Sequence, residues 1–182
     1  MLFRSLWTNT AELAPTSTDL SLTEAKFRSF AELPVNEVRV VVRELSPMMS
    51  TTDRAIVVPL MTPGTSLRAL VTTPLTDLGG SLAGGRAGVA TSLPRDTWRS
   101  LLQSPGLQCN CGLQGFNISA AFGVNFRLGI IGNQENDCQS PDSYLGVGGP
   151  IAAGNTANGT WACGGDYSGD RNTRLFAFVY VR

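Results

Sequence analysis

The chain has 182 residues, of which 42% are hydrophobic and 15% are charged, and its formal net charge is zero. A chain of this length and composition forms a single domain that can bury a core, and its neutrality gives no electrostatic case for binding nucleic acid or an anionic membrane. The chain contains no His, which excludes Ser-His-Asp and Cys-His catalysis, so we expect no enzymatic activity. It also lacks an apolar run of about 18 residues, so no membrane insertion is expected.

The first half of the chain is predicted to combine short strands with short helices. Residues 37–45, EVRVVVREL, place three valines on one face of a strand and two arginines on the other, which is typical of a sheet with one solvated face. A second strand is predicted over residues 55–60, with Pro59 at its end. Short helices are predicted over residues 25–33, 65–72 and 96–103, and a Gly-rich loop over residues 77–88. For residues 25–33 an irregular packed loop is an equal alternative.

The second half of the chain has a different composition, because 14 of the 20 glycines lie between residues 106 and 169. Two apolar runs, residues 125–131 and residues 175–181, are predicted as strands. The second run is apolar on both faces, which indicates a central strand that is covered on both sides. The segment over residues 127–172 is poor in aliphatic side chains, so we expect a long loop that needs a cross-link or a bound ion to hold it.

These elements together predict an α+β fold. We expect a mixed, twisted sheet with short helices and a long, loop-rich, calcium-binding carboxy-terminal region. Residues 1–182 are predicted to form one domain, with a sheet and helix part over residues 1–105 and a Gly-rich part with a closing strand over residues 106–182.

Three clusters of oxygen-bearing side chains lie in the long loop. They are residues 133–137, Asp142 with Ser143, and alternate positions of residues 166–172. Oxygens at alternate positions of a glycine-rich turn can converge on a hard cation such as calcium. On this chemistry Asp137 and Asp142 are candidate metal ligands. The alternative is that they are turn residues whose side chains bond to their own backbone.

The four cysteines are Cys109, Cys111, Cys138 and Cys163, which allow three complete pairings. A bridge between Cys138 and Cys163 would close the loop, and Cys109 and Cys111 are left without an assigned partner. An even number of cysteines in loop-rich sequence, with two Asn-X-Ser/Thr sequons at Asn117 and Asn158, favours a secreted, extracellular protein. Reduced thiols in a cytosolic protein are the alternative.

Three stretches resemble fibrinogen-related domains, including their intelectin-like relatives. They are FAELPVNEVRVVV at residues 30–42, RLGIIGNQENDC at residues 127–138, and CGGDYSGD at residues 163–170 with the closing strand LFAFVYVR. The resemblance implies a secreted, disulfide-bonded, calcium-containing recognition domain that binds glycans or acetylated surface ligands, often as a homo-oligomer. It also implies that Glu135 and Asp166 are calcium ligands.

The chain departs from that family in three ways. It lacks the amino-terminal cysteine and the Gly-Gly-Gly-Trp-Thr element, so we expect it to begin inside the domain. Gln134 replaces an Asn of the sugar-site triplet, and the histidine of the sugar site has no counterpart. A structural calcium is therefore expected rather than one that coordinates a sugar.

Three functions follow as hypotheses. The first is a glycan-binding, lectin-like recognition or adhesion module, with Tyr144, Trp161 and Tyr167 as the aromatics that would stack on a sugar. The alternative, which each aromatic taken alone favours, is that they pack within the loop. The second is a self-assembling extracellular structural protein, such as a subunit of a filament, sheath or particle, because the low charge suits close packing of copies. The third is a hydrolase that uses paired carboxylates, Glu135 with Asp137 or Asp166.

Overall fold

A computed structural model describes residues 7–14, 16, 24–44, 52–101, 107–149, 156–158 and 173–182 of the chain. Within these ranges the chain contains three short α-helices, which are α1 (Ser29–Glu32), α2 (Leu67–Thr72) and α3 (Arg95–Arg99). The strands are β1 (Glu37–Glu44), β2 (Arg54–Pro59), β3 (Thr76–Asp77), β4 (Arg86–Ala90), β5 (Asn110–Ser119), β6 (Asn125–Asn133), β7 (Ser143–Val147), β8 (Thr156–Asn158) and β9 (Thr173–Val181). None of the described helices is long and apolar enough to cross a membrane.

The described strands follow one continuous order, β2-β1-β9-β8-β7-β6-β5-β4-β3, and each strand runs antiparallel to its neighbours. Strand β9 changes partners along its length. Its first two residues pair with β8, and the residues from Leu175 onward pair with β1. The order therefore divides into a smaller sheet, β2-β1-β9, and a larger sheet that runs from β8 to β3.

The two sheets pack against each other through apolar side chains. In the smaller sheet, alternate residues of β1 and β2, such as Val38, Val40 and Val58, are buried. They belong to the same core cluster as Leu128 and Leu145 of the larger sheet. Strands show a period of two, so each strand that lies on this core directs every second side chain into it. The result is a β-sandwich to which the helices add a few side chains.

The predicted α+β class is wrong, because the described part of the chain is mainly β and its sheets are antiparallel rather than mixed. The strands predicted at residues 37–45, 55–60, 125–131 and 175–181 are confirmed as β1, β2, β6 and β9. The prediction that β9 is covered on both faces is wrong, since Tyr180 is 43% exposed. The three predicted helices are present but shorter, and α2 is capped by Ser66, whose hydroxyl accepts a hydrogen bond from the amide of Ala69.

The prediction of a long loop over residues 127–172 is also wrong where the structure describes these residues. There β6 continues to Asn133, and β7 and β8 follow it. The reason lies in the glycines, which here belong to strands. Gly115, Gly129 and Gly146 are directly opposed across β5, β6 and β7. A Cβ on Gly146 would lie 2.1 Å from the ring of Phe126. Close packing over the sheet thus explains a composition that resembled a loop.

Candidate functional site

The described part of the Asn- and Asp-rich segment is the connection between β6 and β7, which we call the 134–142 loop. It begins after Asn133 and ends before Ser143. The loop lies against the segment before β4, because the amide of Cys138 donates a 2.7 Å hydrogen bond to the carbonyl oxygen of Ala83. The Cys138 side chain belongs to a second core cluster, on the face of the larger sheet that points away from the smaller one.

A disulfide joins the 134–142 loop to the start of β5. Cys138 pairs with Cys111, with their Cα atoms 5.1 Å apart, and both side chains are buried. The predicted bridge between Cys138 and Cys163 is therefore wrong in its pairing, and Cys163 lies outside the described residues. Cys109 is disulfide-bonded as well. The backbone has positive φ at Cys111 and Gly112, and the register between β5 and β6 is irregular there, which the spacing of the cysteines could not indicate.

Polar side chains form the buried base of the loop. Gln108, Asn133 and Ser143 are the fully buried polar residues of the described chain. The amide of Gln108 donates to the hydroxyl of Ser143 at 2.9 Å, and the side chain of Gln108 donates to that of Gln134 at 2.8 Å. The side-chain amide of Asn133 donates to the backbone carbonyl oxygen of Asp137 at 3.0 Å. Polar side chains therefore hold the base of the loop. Gln108 had no predicted role in it, and Ser143 was predicted only as part of an oxygen-bearing cluster with Asp142.

The predicted metal ligands Glu135 and Asp137 accept hydrogen bonds from neighbouring groups. Glu135 accepts from the Gln134 side chain at 3.1 Å and from the Ser140 hydroxyl at 3.4 Å. Asp137 accepts from the backbone amide of Gln139 at 2.8 Å, which is the bond of an Asx turn. The turn interpretation that accompanied the calcium prediction therefore describes Asp137.

The other two predicted ligands do not complete a metal site in the described chain. Asp142 is half-buried just before β7, and Asp166 lies outside the described residues. Across the described ranges, no three His, Cys, Asp or Glu side chains lie close enough together to hold a metal ion. Calcium stays a prediction for this chain.

Of the three predicted ligand-binding aromatics, Tyr144 lies among the described residues. Tyr144 lies in β7, and its ring packs on that of Phe126 with the centroids 5.4 Å apart. It contributes to the second core cluster and is half-buried. Trp161 and Tyr167 lie outside the described residues.

The outer face of the smaller sheet is a different surface, which the sequence pattern predicted only as solvated. We call it the outer face; it carries Arg39 at its centre. The neighbours of Arg39 across the strands are Val57 of β2 and Tyr180 of β9, and all three side chains are exposed. Arg39 has no ion-pair partner among the described residues.

The second arginine of the outer face is neutralised. Arg43 forms a two-pronged ion pair with Asp53, at 2.7 and 2.9 Å, and its guanidinium lies 5.7 Å from the ring centroid of Phe178. The hydrogen bond from Arg43 lowers the pKa of the Asp53 carboxyl below its ordinary value, and partial burial opposes that effect. Asp53 is thus charged and held by Arg43, so it does not compensate the positive charge of Arg39, which has no other acidic partner among the described residues.

A surface cavity of about 250 Å³ lies beside the β5–β6 hairpin, lined in part by Asn117 and Arg127. The guanidinium of Arg127 donates to the carbonyl oxygen of Val71 at 2.9 Å and to the Asn117 side chain at 3.0 Å. The Asn117 amide in turn donates to the carbonyl oxygen of Thr73 at 2.8 Å. The nitrogen that would carry a glycan at this sequon is therefore engaged within the fold.

Comparisons with models of known protein families, with curated proteins and with solved structures find no match to this chain. The functional argument consequently rests on the surfaces and contacts described above.

Proposed function

We propose that this protein is an extracellular recognition module that binds acidic glycans on the outer face of its smaller sheet. The observation that carries the proposal is the exposed pair of Arg39 and Tyr180, which are direct neighbours across β1 and β9. Neighbouring side chains on one face of a sheet lie about 5 Å apart at their Cβ atoms. A sugar ring stacked on Tyr180 would therefore place a ring carboxylate within reach of the Arg39 guanidinium.

The charges around this pair favour an anionic ligand over a neutral one. Asp53 is held by Arg43, and Glu37 pairs with Arg182 at 2.7 Å. Neither carboxylate is therefore available to neutralise Arg39. A guanidinium with no protein partner at the surface is hydrated when the ligand is absent and can exchange that water for a carboxylate.

The extracellular assignment is supported by the disulfide chemistry. The Cys111–Cys138 bond is buried, and Cys109 is also oxidised. Structural disulfides persist in oxidising compartments and are rare in the cytosol of most organisms. The resemblance to fibrinogen-related domains is a hypothesis that points the same way, and it is the source of the expectation that the ligand is a glycan.

The binding test compares an acidic polysaccharide, polygalacturonate, with neutral dextran by titration calorimetry. We expect binding to polygalacturonate that weakens with salt, and at least about a tenfold loss of affinity for Arg39→Gln and for Tyr180→Ala. Arg86→Gln on β4 is the matched control, since it removes the same charge from the larger sheet. Equal binding of both polysaccharides, or equal losses for Arg39→Gln and Arg86→Gln, would refute the proposal.

Calcium enters the proposal as a structural ion of the 134–142 loop, on the strength of the family resemblance. One observation favours it: the side-chain oxygen of the fully buried Gln108 has no hydrogen-bond donor among the described residues. The contrary observation is that Glu135 and Asp137 already accept hydrogen bonds from their own loop. The described residues alone therefore do not form a calcium site.

Thermal melting of the oxidised protein with calcium and with a chelator tests this part separately. Stabilisation of about 2.7 kcal/mol is expected at a calcium concentration a hundredfold above the dissociation constant. Identical melting curves would remove calcium from the proposal and would leave glycan binding by the outer face untouched.

A second candidate function, a self-assembling extracellular subunit, is favoured by a separate observation. The smaller sheet ends at β2, and within the described chain no strand pairs with the other side of β2. An unpaired strand of this kind is a template for another chain.

A further inference from the structure

The two ends of the strand order are built differently. At one end, β3 has only two residues, and Asp77 of β3 forms a 2.8 Å ion pair with Arg86. A short, charged edge of this type resists pairing with another strand. At the other end, β2 has six residues, Arg54–Pro59, and no bulge interrupts its register with β1.

The hydrogen bonds of the neighbouring strands show which backbone groups of β2 have no backbone partner among the described residues. The amide of Leu60 donates to the carbonyl oxygen of Asn36, whereas Glu37 exchanges both of its backbone bonds with Arg182. In an antiparallel pair the residues alternate between those that face the partner strand and those that face away. Ala55, Val57 and Pro59 therefore direct their peptide groups away from β1, towards the open edge.

This edge has few of the features that normally prevent pairing. It has no lysine, and Pro59 blocks only its last position. Its one charge on the core side of the strand, Arg54, lies at the first position, outside the middle of the edge. Ala55 and Val57 are exposed, and Val57 is 42% exposed despite being apolar. Four backbone groups in the middle of the edge, the amides and carbonyls of Ala55 and Val57, are consequently presented beside apolar side chains.

We propose that a second copy of this chain pairs with the open edge of β2 in an antiparallel arrangement with two-fold symmetry. Ala55 would exchange both backbone hydrogen bonds with Val57 of the partner subunit. By symmetry Val57 would do the same with Ala55 of the partner subunit, which gives four hydrogen bonds in all. The two-fold axis passes beside Ile56, and Pro59 falls beyond these bonds, so its missing amide is not required. Isologous contacts of this kind close on themselves as dimers.

The charges around β2 favour a second copy as the occupant. Arg54 lies 3.9 Å from Glu44, and Asp53 pairs with Arg43, so the charged groups at this edge are balanced within each copy. The whole chain has a formal net charge of zero, so two copies approach without long-range repulsion. This inference rests on the second candidate function, self-assembly, and not on glycan binding.

Sedimentation velocity over a wide range of concentrations of the oxidised, full-length chain tests the proposal. We expect a monomer–dimer equilibrium that Val57→Lys weakens on the order of a hundredfold, because it brings like charges near the axis. Thr76→Lys on β3 is the matched control at the opposite edge and should leave the equilibrium unchanged. Circular dichroism of each variant establishes that it is folded.

A cross-linking experiment tests the register itself. An equal mixture of Ala55→Cys and Val57→Cys chains should form a mixed disulfide dimer in higher yield than either variant alone, because these positions are opposed across the axis. A wild-type protein that stays monomeric, or a dimer that Val57→Lys does not weaken, overturns the proposal. Either result leaves the acidic-glycan proposal intact, since that proposal is tested separately by the affinity of the Arg39 and Tyr180 variants for polygalacturonate.

Discussion

The two faces of the larger sheet are covered in different ways. The face that meets the smaller sheet is packed by aliphatic side chains, such as Leu128 and Ile130 against the valines of β1 and β2. The opposite face carries Leu113 and Ile131, and it is covered by Leu78, Leu82 and Cys138 from loops and irregular segments. The first face is buried by a whole sheet, and the second is buried by segments with few large side chains of their own.

This difference shows how a stretch poor in aliphatic residues is held in place. Burial of apolar area stabilises by about 25 cal/mol per Å², so a loop that offers little such area needs other interactions. Here those interactions are the Cys111–Cys138 bond and the buried hydrogen bonds of Gln108, Asn133 and Ser143. We therefore expect variants at the second face to act through a cross-link, a close contact or a hydrogen bond.

The largest effect is expected from removal of the disulfide. The double variant Cys111→Ala with Cys138→Ala opens a loop between residues 27 positions apart, which should lower the free energy of unfolding by about 3–4 kcal/mol because the unfolded chain gains entropy. Urea unfolding under oxidising conditions measures it. Val58→Ala, in the core between the sheets, is the comparison, and it should lower the free energy of unfolding by about 1–3 kcal/mol. A double variant as stable as the wild type would mean that packing alone holds the loop.

The next effect is expected from Gly146→Ala. The added Cβ would lie 2.1 Å from one ring atom of Phe126 and 2.3 Å from another. Because Phe126 is buried in the second cluster and packs on Tyr144, the ring has little room to move, and we expect a loss of up to about 3 kcal/mol. Thermal unfolding compares it with Gly79→Ala, where no atom lies within 4 Å of the new Cβ. Equal stability of the two variants would contradict the close contact.

The smallest effect is expected from Ser143→Ala. The hydroxyl of Ser143 is the buried acceptor for the amide of Gln108, and an amide left without a partner in the interior destabilises by about 1–2 kcal/mol. Ser119→Ala, at the end of β5, is the control and should change stability by less than about 0.5 kcal/mol. Hydrogen exchange at the Gln108 amide provides a second measurement. Unchanged protection of that amide in Ser143→Ala would argue that another group satisfies it.

Prediction from sequence succeeded where a strand has its own alternating pattern. Val38, Val40 and Val42 of β1 fall at every second position, and they line the core as that pattern indicates. Prediction failed for β5 and β7, because the glycines within them remove the apolar signal at the positions where backbones and rings pack closely. The fold class was missed for the same reason, since strands that resembled loops left the helices with too much weight.

The candidate surfaces divide in the same way. The acidic loop was visible in the sequence, but its carboxylates accept hydrogen bonds from their neighbours, which only the folded loop reveals. That Arg39 has no ion-pair partner among the described residues could not be predicted, because it depends on the pairing of Asp53 with Arg43 and of Glu37 with Arg182.

The sequence by itself determined a neutral, His-free chain with four cysteines and strands at β1, β2, β6 and β9. These are properties of composition and of local pattern, which do not depend on distant neighbours. Only the tertiary structure decided that Cys138 pairs with Cys111, that Gly146 lies beneath Phe126, and that β2 ends the order of the described strands. The physical reason is that each depends on which distant segments become adjacent, and that is set by the packing of the two sheets.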